Sequence, residues 1–301
     1  MKTCRLFFVH GIGNEGRNAR SISLEWLYAL KSAWSRDGYP LDSVQFDARA
    51  AFYGDKLADL TRNWLSNELS IIDQGSAQVP AADFDLVVLY QEYQAALLNS
   101  GRQAPRRESE GVVVIDEMGF PHHSCVKSLA KAIEALSPEN GSFLAKKFLP
   151  QAAVYLRRPG AATTIDNIVE TQMLDHLGND SKAIVISHSL GTVVSYRILR
   201  NLGEAPRASM FMTLGSPLAS EAVQKILTPP RIRPVNVGTW INAADKRDFV
   251  ALQPDLTDKT FGSAEVQNLA GISNEDDNRH SIIGYLRNRI VSDAIWNAID
   301  L

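Results

Sequence analysis

The chain has 301 residues, 45% hydrophobic and 22% charged, with a net charge of −3. Such a length and apolar fraction suit one globular α/β domain with an insertion, and the slight acidity excludes a broad basic field that would recruit nucleic acid. Two cysteines, Cys4 and Cys125, provide no disulfide framework, and no run approaches the roughly 18 apolar residues of a membrane span.

Arg5-Leu6-Phe7-Phe8-Val9 is an apolar run of strand length that ends in the turn His10-Gly11-Ile12-Gly13. Because this strand opens the chain and runs straight into that turn, the first residues read as structure rather than a cleavable leader. A cytoplasmic location is therefore expected. A second strand is expected over 44–53.

The long connection that follows must supply the core with one helix. Residues 163–177 do so, since Ile165, Ile168, Val169, Met173 and Leu177 line one face and Gly178 ends it. The remainder, 55–162, reads as an insertion with helices over 57–72, 86–98 and 128–136 and a strand or short helix over 112–115. Residues 99–110 are polar and read as a loop. The amphipathic segment 143–149 suits either packing on the core or peripheral contact with a membrane surface. His122 and His123 beside Cys125 lack the second pair that a zinc site needs, so no metal is expected there, and His176 reads as a packing residue.

Ala183-Ile184-Val185-Ile186 reads as a buried strand that passes through Ser187-His188-Ser189-Leu190-Gly191 into a helix-like stretch. In that stretch Val193, Val194, Ile198, Leu199 and Leu202 fall at helical spacing before Gly203. A strand turning at once into a helix makes a sharp corner. Small residues two positions either side of Ser189 let it hold a strained conformation with its hydroxyl exposed. The usual pattern is G-x-S-x-G, and Ser187 departs from it.

A strand over 209–214 closes at Gly215-Ser216-Pro217, a short helix follows near 219–227, and a strand over 240–244 runs into Asp245-Lys246-Arg247-Asp248-Phe249-Val250. A further strand is expected near 265–270, and Asn278-Arg279-His280 precedes an apolar-periodic terminal helix from Ser281. The alternation predicts an α/β fold, a mostly parallel sheet covered by helices, with reactive groups gathered at the carboxyl ends of the strands.

These segments resemble the α/β-hydrolase-fold serine hydrolases, bacterial lipases and esterases in particular. The likeness rests on the strand ending in His10-Gly11, the elbow around Ser189, the run Thr213-Leu214-Gly215-Ser216-Pro217, and Asp248-Phe249-Val250 as a D-x-V arrangement. It implies a single hydrolase domain over 1–301, with 55–162 as a helical cap or lid that sets substrate choice. It also implies an order of nucleophile, acid and base along the chain. Ser189 is then the nucleophile and His280, the one histidine after it, the base. Asp248 is the favoured acid, with Asp245 as the alternative. The backbone N–H groups of Ile12 and Leu190 would form the oxyanion hole. His10 in the turn would position backbone, and His188, adjacent to the nucleophile, is too close in sequence to act as its base.

The implied chemistry is cleavage of a small-molecule or lipid ester through an acyl-serine, with no cofactor and no metal. Thioesters and amides are open to the same constellation, and a binding or sensor module with slow turnover is an alternative of a different class. Neither the acyl chain nor the oligomeric state is specified by these motifs.

Overall fold

A computed structural model describes residues 2–73, 91, 93–95, 147–178, 182–205, 207–263, 265–275 and 278–299. The expected elements at 112–115 and 128–136 and the loop at 99–110 lie outside these residues, as do His122, His123 and Cys125. Of 86–98, only 91 and 93–95 are described, and they are helical.

The chain divides into two compact units, Met1–Asp55 with Thr163–Leu301, and Lys56–Ala162. The second unit occupies the stretch in which the sequence places an insertion. The first is built on a six-stranded, all-parallel sheet of β1 (Lys2–Val9), β2 (Val44–Ala51), β3 (Ala183–His188), β4 (Ala208–Leu214), β5 (Val237–Ala243) and β6 (Val266–Asn268), in the order β2-β1-β3-β4-β5-β6. Parallel neighbours require crossovers that lay helices on the sheet, so inner strands are buried on both faces and read as continuous apolar runs. In β3 all six residues are buried. The expected mostly parallel sheet is thus wholly parallel among the described residues.

One face carries α1 (Ala19–Arg36) together with α7 (Ile282–Arg287) and α8 (Arg289–Ile299), where Leu6, Phe8, Ile184, Ile186, Met210 and Met212 meet Trp26, Leu30, Tyr285 and Ile295. The sequence reading named no element between residues 13 and 44, yet α1 has clear signals. Asn18 caps Ser21 in a reciprocal capping box, and Ile22, Trp26, Ala29, Leu30 and Ala33 fall on one stripe. The predicted terminal helix is two helices, because the chain breaks at Asn288, whose side chain accepts the Ile290 N–H at 3.0 Å and starts α8.

The opposite face is covered by α4 (Pro159–Leu177) and α5 (Leu190–Asn201). Tyr196 of α5 stacks on Trp240 of β5 with centroids 5.1 Å apart, and His176 of α4 lies 5.8 Å from Phe7 of β1, a buried packing residue. Two strand-and-helix units separate β3 from the turn after β5, namely α5 with β4 and α6 (Glu221–Ile226) with β5. Cys4, buried in β1, has its thiol pushed up to about 12 by desolvation, with Lys2 opposing, and so behaves as a packing group.

In the second unit α2 (Gly54–Asp73) covers the helix expected at 57–72, and α3 (Leu149–Arg157) follows buried Phe148, whose ring lies 5.5 Å from Tyr93. The Arg158 guanidinium sits 5.6 Å from the Trp64 ring centre. Among the described residues no helix is long and apolar enough to cross a membrane.

Trp34 joins α1 to α8: its ring is fully buried, stacks 5.3 Å from Phe46, meets Trp296 edge-on, and donates Nε1–H to the Ser292 carbonyl at 2.8 Å. Trp34→Ala is expected to destabilise the protein by about 3–5 kcal/mol. Urea unfolding checks this, and an unchanged midpoint would remove Trp34 from the core.

Candidate active site

The chain leaves β1 for β2 on one side and returns to pair with β1 on its other side as β3. This reversal opens a crevice at the carboxyl ends of β1 and β3, where open α/β sheets bind ligands. β1 delivers His10 and Gly11 there, and β3 delivers His188 and Ser189.

Ser189 caps α5 with φ 56° and ψ −132°, and it is the one non-glycine residue at positive φ among the described residues. A side chain held there costs on the order of 1–3 kcal/mol and persists only where its surroundings over-determine it. The surroundings are tight. A Cβ on Gly11 would stand 2.5 Å from the Ser189 Cβ, and one on Gly191 would run into the carbonyls of Val9 and His10. The Ser189 N–H donates to the Leu214 carbonyl at 3.1 Å, and the Thr192 hydroxyl donates to the Ser189 carbonyl at 2.7 Å while contacting Ser216 Oγ at the same distance. Ser187 fits where the pattern expects glycine because its hydroxyl is buried against Ser195 Oγ at 2.7 Å.

Ser189 is 1% exposed, and its buried hydroxyl has no hydrogen-bond partner among the described residues. A buried hydroxyl left unpaired costs about 1–3 kcal/mol, so its retention calls for an explanation other than stability.

His10 acts as a fastener. Nδ1–H donates to the Gly11 carbonyl at 2.5 Å and Nε2 accepts the Tyr53 N–H at 3.2 Å; the two rings stack 4.2 Å apart, and the Tyr53 hydroxyl donates to the His10 carbonyl. With both nitrogens engaged the ring has no room for a second proton. Burial pushes its pKa down to about 4, Arg17 adds to this, and the Gly11 bond opposes it. Asn14 Nδ2 donates to the Gly11 and Ile12 carbonyls, each at 3.2 Å, which shapes the turn carrying Ile12. Leu190, the first residue of α5, presents its N–H at a helix start, where backbone donors lack intrahelical partners.

Asp248 and His280, distant in sequence, meet beside Gly215 at the end of β4. Nδ1 of His280 lies 2.9 Å and 2.8 Å from the two carboxylate oxygens, so Nδ1–H donates to Asp248 and Nε2 is the nitrogen left facing away from it. Asp248 also accepts the Tyr285 hydroxyl at 2.7 Å and the N–H groups of Val250 at 2.8 Å and Ala251 at 3.3 Å. Burial raises its carboxyl pKa, but the adjacent His280 and the hydrogen bonds from His280, Tyr285 and Val250 outweigh that and hold it below the ordinary carboxylate value. Gly215 is required on two counts: its φ is 55°, and a Cβ would stand 2.6 Å from Asp248 Oδ2.

Asp245, the other carboxylate of this turn, does not meet His280. It accepts the Arg247 N–H at 2.7 Å and the Asn274 N–H at 2.8 Å. The structure therefore brings together Asp248 and His280, seats Ser189 against Gly11, and leaves the Ser189 Oγ to His280 bond unmade. Tyr285, Asn274 and His188 were not singled out as site residues by sequence, because nothing local marks a hydroxyl, amide or ring that finds its partner across the fold. Among the described residues no cluster of three metal-ligating side chains forms.

No family model, curated protein or solved structure matches the chain.

His10 carries a pH prediction. Its folded pKa, about 4, lies below the ordinary 6.5, so between these values the unfolded chain binds more protons than the folded one. Stability is expected to fall as pH drops through that window, by on the order of 3 kcal/mol from this ring, and to level off below it. His188, held well below its ordinary value by burial and then by His280, adds with the same sign. Thermal melts of the wild type and His10→Gln between pH 7 and 4.5 check this, and parallel losses in both proteins would place the titration elsewhere.

Proposed function

We propose that the protein is a serine hydrolase of the α/β-hydrolase kind that cleaves a carboxylic ester through an acyl-serine. The observation that carries this reading is the strained, unpaired Ser189 hydroxyl at the sheet's switch point, on the side of the fold where a buried Asp248–His280 pair also lies. The all-parallel helix-flanked sheet is compatible with that fold family.

In the proposed reaction Nε2 of His280 takes the proton of Ser189 Oγ as the oxygen attacks the acyl carbon. Asp248 orients the imidazole and stabilises the imidazolium, and the N–H groups of Ile12 and Leu190 take the negative charge on the carbonyl oxygen. The proton then passes to the leaving alkoxide; in the second half an attacking water gives its own proton to His280, which returns it to Ser189 Oγ as the carboxylic acid leaves. The Ser189 to His280 hydrogen bond, unmade at rest, closes when substrate displaces the serine rotamer, as hydrogen bonds in empty sites often tighten only in the complex. Residues 56–162 would serve as the cap over a small-molecule or lipid acyl group, and the same residues would act on a thioester or amide. The unmade bond also favours a second reading, a hydrolase scaffold used as a sensor with slow turnover.

A fluorophosphonate probe is expected to add mass to the wild type and not to Ser189→Ala, whose kcat on a cleaved ester falls by up to about 10⁶-fold. Labelling of the alanine variant would sink the assignment of Ser189. Asp248→Asn is expected to lower kcat by on the order of 10⁴-fold, through loss of the imidazole tautomer, and Asp245→Asn by much less. The reverse order would move the acid to Asp245.

A further inference from the structure

His280 stands in a loop before α7, and a loop alone does not hold an imidazole to the fraction of an ångström that proton transfer needs. Three successive backbone carbonyls of that loop are each held by a buried side chain, two by Asn274 earlier in the same loop and one by His188 at the end of β3. Asn274 Nδ2 donates to the Arg279 carbonyl at 3.1 Å and to the Ser281 carbonyl at 2.7 Å. His188 Nε2–H donates to the His280 carbonyl at 2.8 Å, and the two rings lie 4.5 Å apart. Asn274 is 0% exposed, and its side chain fills the space a Cβ on Gly284 would need.

Asn274 is itself fixed. Its N–H donates to Asp245 Oδ2 at 2.8 Å, and its carbonyl accepts from the Arg279 guanidinium. Asp245 returns to the site by a second route, its N–H donating at 2.9 Å to the Tyr285 hydroxyl that in turn donates to Asp248. The His280 N–H is taken by Asn278 Oδ1 at 3.0 Å. The two carboxylates of one turn thus divide their work: Asp248 holds the ring of His280, and Asp245, through Asn274, holds the backbone beneath it.

We infer that Asn274 and His188 are positioning residues that lock the loop presenting His280, with Asp245 acting through Asn274. The inference rests on the proposed role of His280. Neither residue exchanges a proton or bonds with substrate in that mechanism; they set where His280 Nε2 stands when Ser189 needs it. A donor lost from such a buried clamp leaves carbonyls unpaired and lets the loop shift, and misplacement by about 1 Å costs on the order of 10²-fold in rate.

The test uses the full chain with two readouts, the low-field proton resonance of His280 Nδ1–H, assigned by its loss in His280→Gln, and the saturation kinetics of a fluorophosphonate probe. Asn274→Asp keeps the side-chain shape and removes both donors. It is expected to broaden or shift the resonance and to lower the maximal labelling rate by on the order of 10²-fold with little change in half-saturating concentration. If Asn274→Asp does not fold, Asn274→Ser is read in the same way. His188→Leu is expected to act likewise, and His188→Gln, which restores a donor near the lost Nε2, to recover part of the loss. A folded Asn274 variant with unchanged resonance and rate overturns the inference, as does absence of the resonance in the wild type. Equal losses in His188→Leu and His188→Gln remove His188 from the clamp. A wild type that takes no probe on Ser189, while its resonance still responds to Asn274→Asp, refutes the nucleophile and leaves the positioning role standing.

Discussion

A carboxylate without water must have its charge met by protein donors, and the side chain of Asp248 has no exposed surface. The site is arranged around that demand. Two donors are backbone N–H groups of its own turn, one is the ring of His280, and one is a tyrosine brought in by α7. Tyr285 is in turn driven by burial, and then by the charge of Asp248, to keep its proton, its pKa standing well above the ordinary value, so the donation persists at any physiological pH. Gly215 leaves the space into which carboxylate and imidazole fit. Four donors therefore converge on one anion, and α7 docks where it does because core packing and this hydrogen bond agree.

The junction of β1 with α5 obeys a steric rule. The end of β1 and the start of α5 approach so closely that Gly11 and Gly191 tolerate no side chain, and the backbone of Ser189 takes a conformation most residues avoid. Polar fastenings hold this region together: His10 with Tyr53, Thr192 with Ser216, Ser187 with Ser195. Amid these satisfied groups the Ser189 hydroxyl stands out as buried and unpaired. Strain and an unmet hydroxyl at one residue are what a reactive position looks like in energetic terms.

Much of this is legible in the sequence because short-range rules apply. Strands buried on both faces read as apolar runs, as in 183–186, and a corner between strand and helix shows as small residues around Ser189. The nearness of Asp248 to His280 rested on a resemblance that named both residues and left Asp245 as an alternative. Two carboxylates three residues apart look alike in sequence, and only the fold decides which one faces the imidazole and which the Asn274 backbone. The helix α1 is written in its apolar stripe and its Asn18 cap, signals as local as those around Ser189. Tyr285, Asn274 and His188 were beyond such rules, since each finds its partner dozens of residues away or across a turn whose shape the sequence does not spell out. His188 shows the limit best: proximity in sequence excludes it as a base for Ser189, yet says nothing of its reach to the far carbonyl of His280.

The buried contact between Ser187 and Ser195 ties two positions of the chain together in inheritance. Glycine at 187 would restore the usual elbow pattern but strand the Ser195 hydroxyl in a dry environment, and alanine at 195 would do the same to Ser187. Either change is costly alone and far milder once the other is in place. In this chain a serine at 187 therefore favours a hydroxyl at 195, and exchanging serine for glycine at 187 alone passes through a less stable form than exchanging both together.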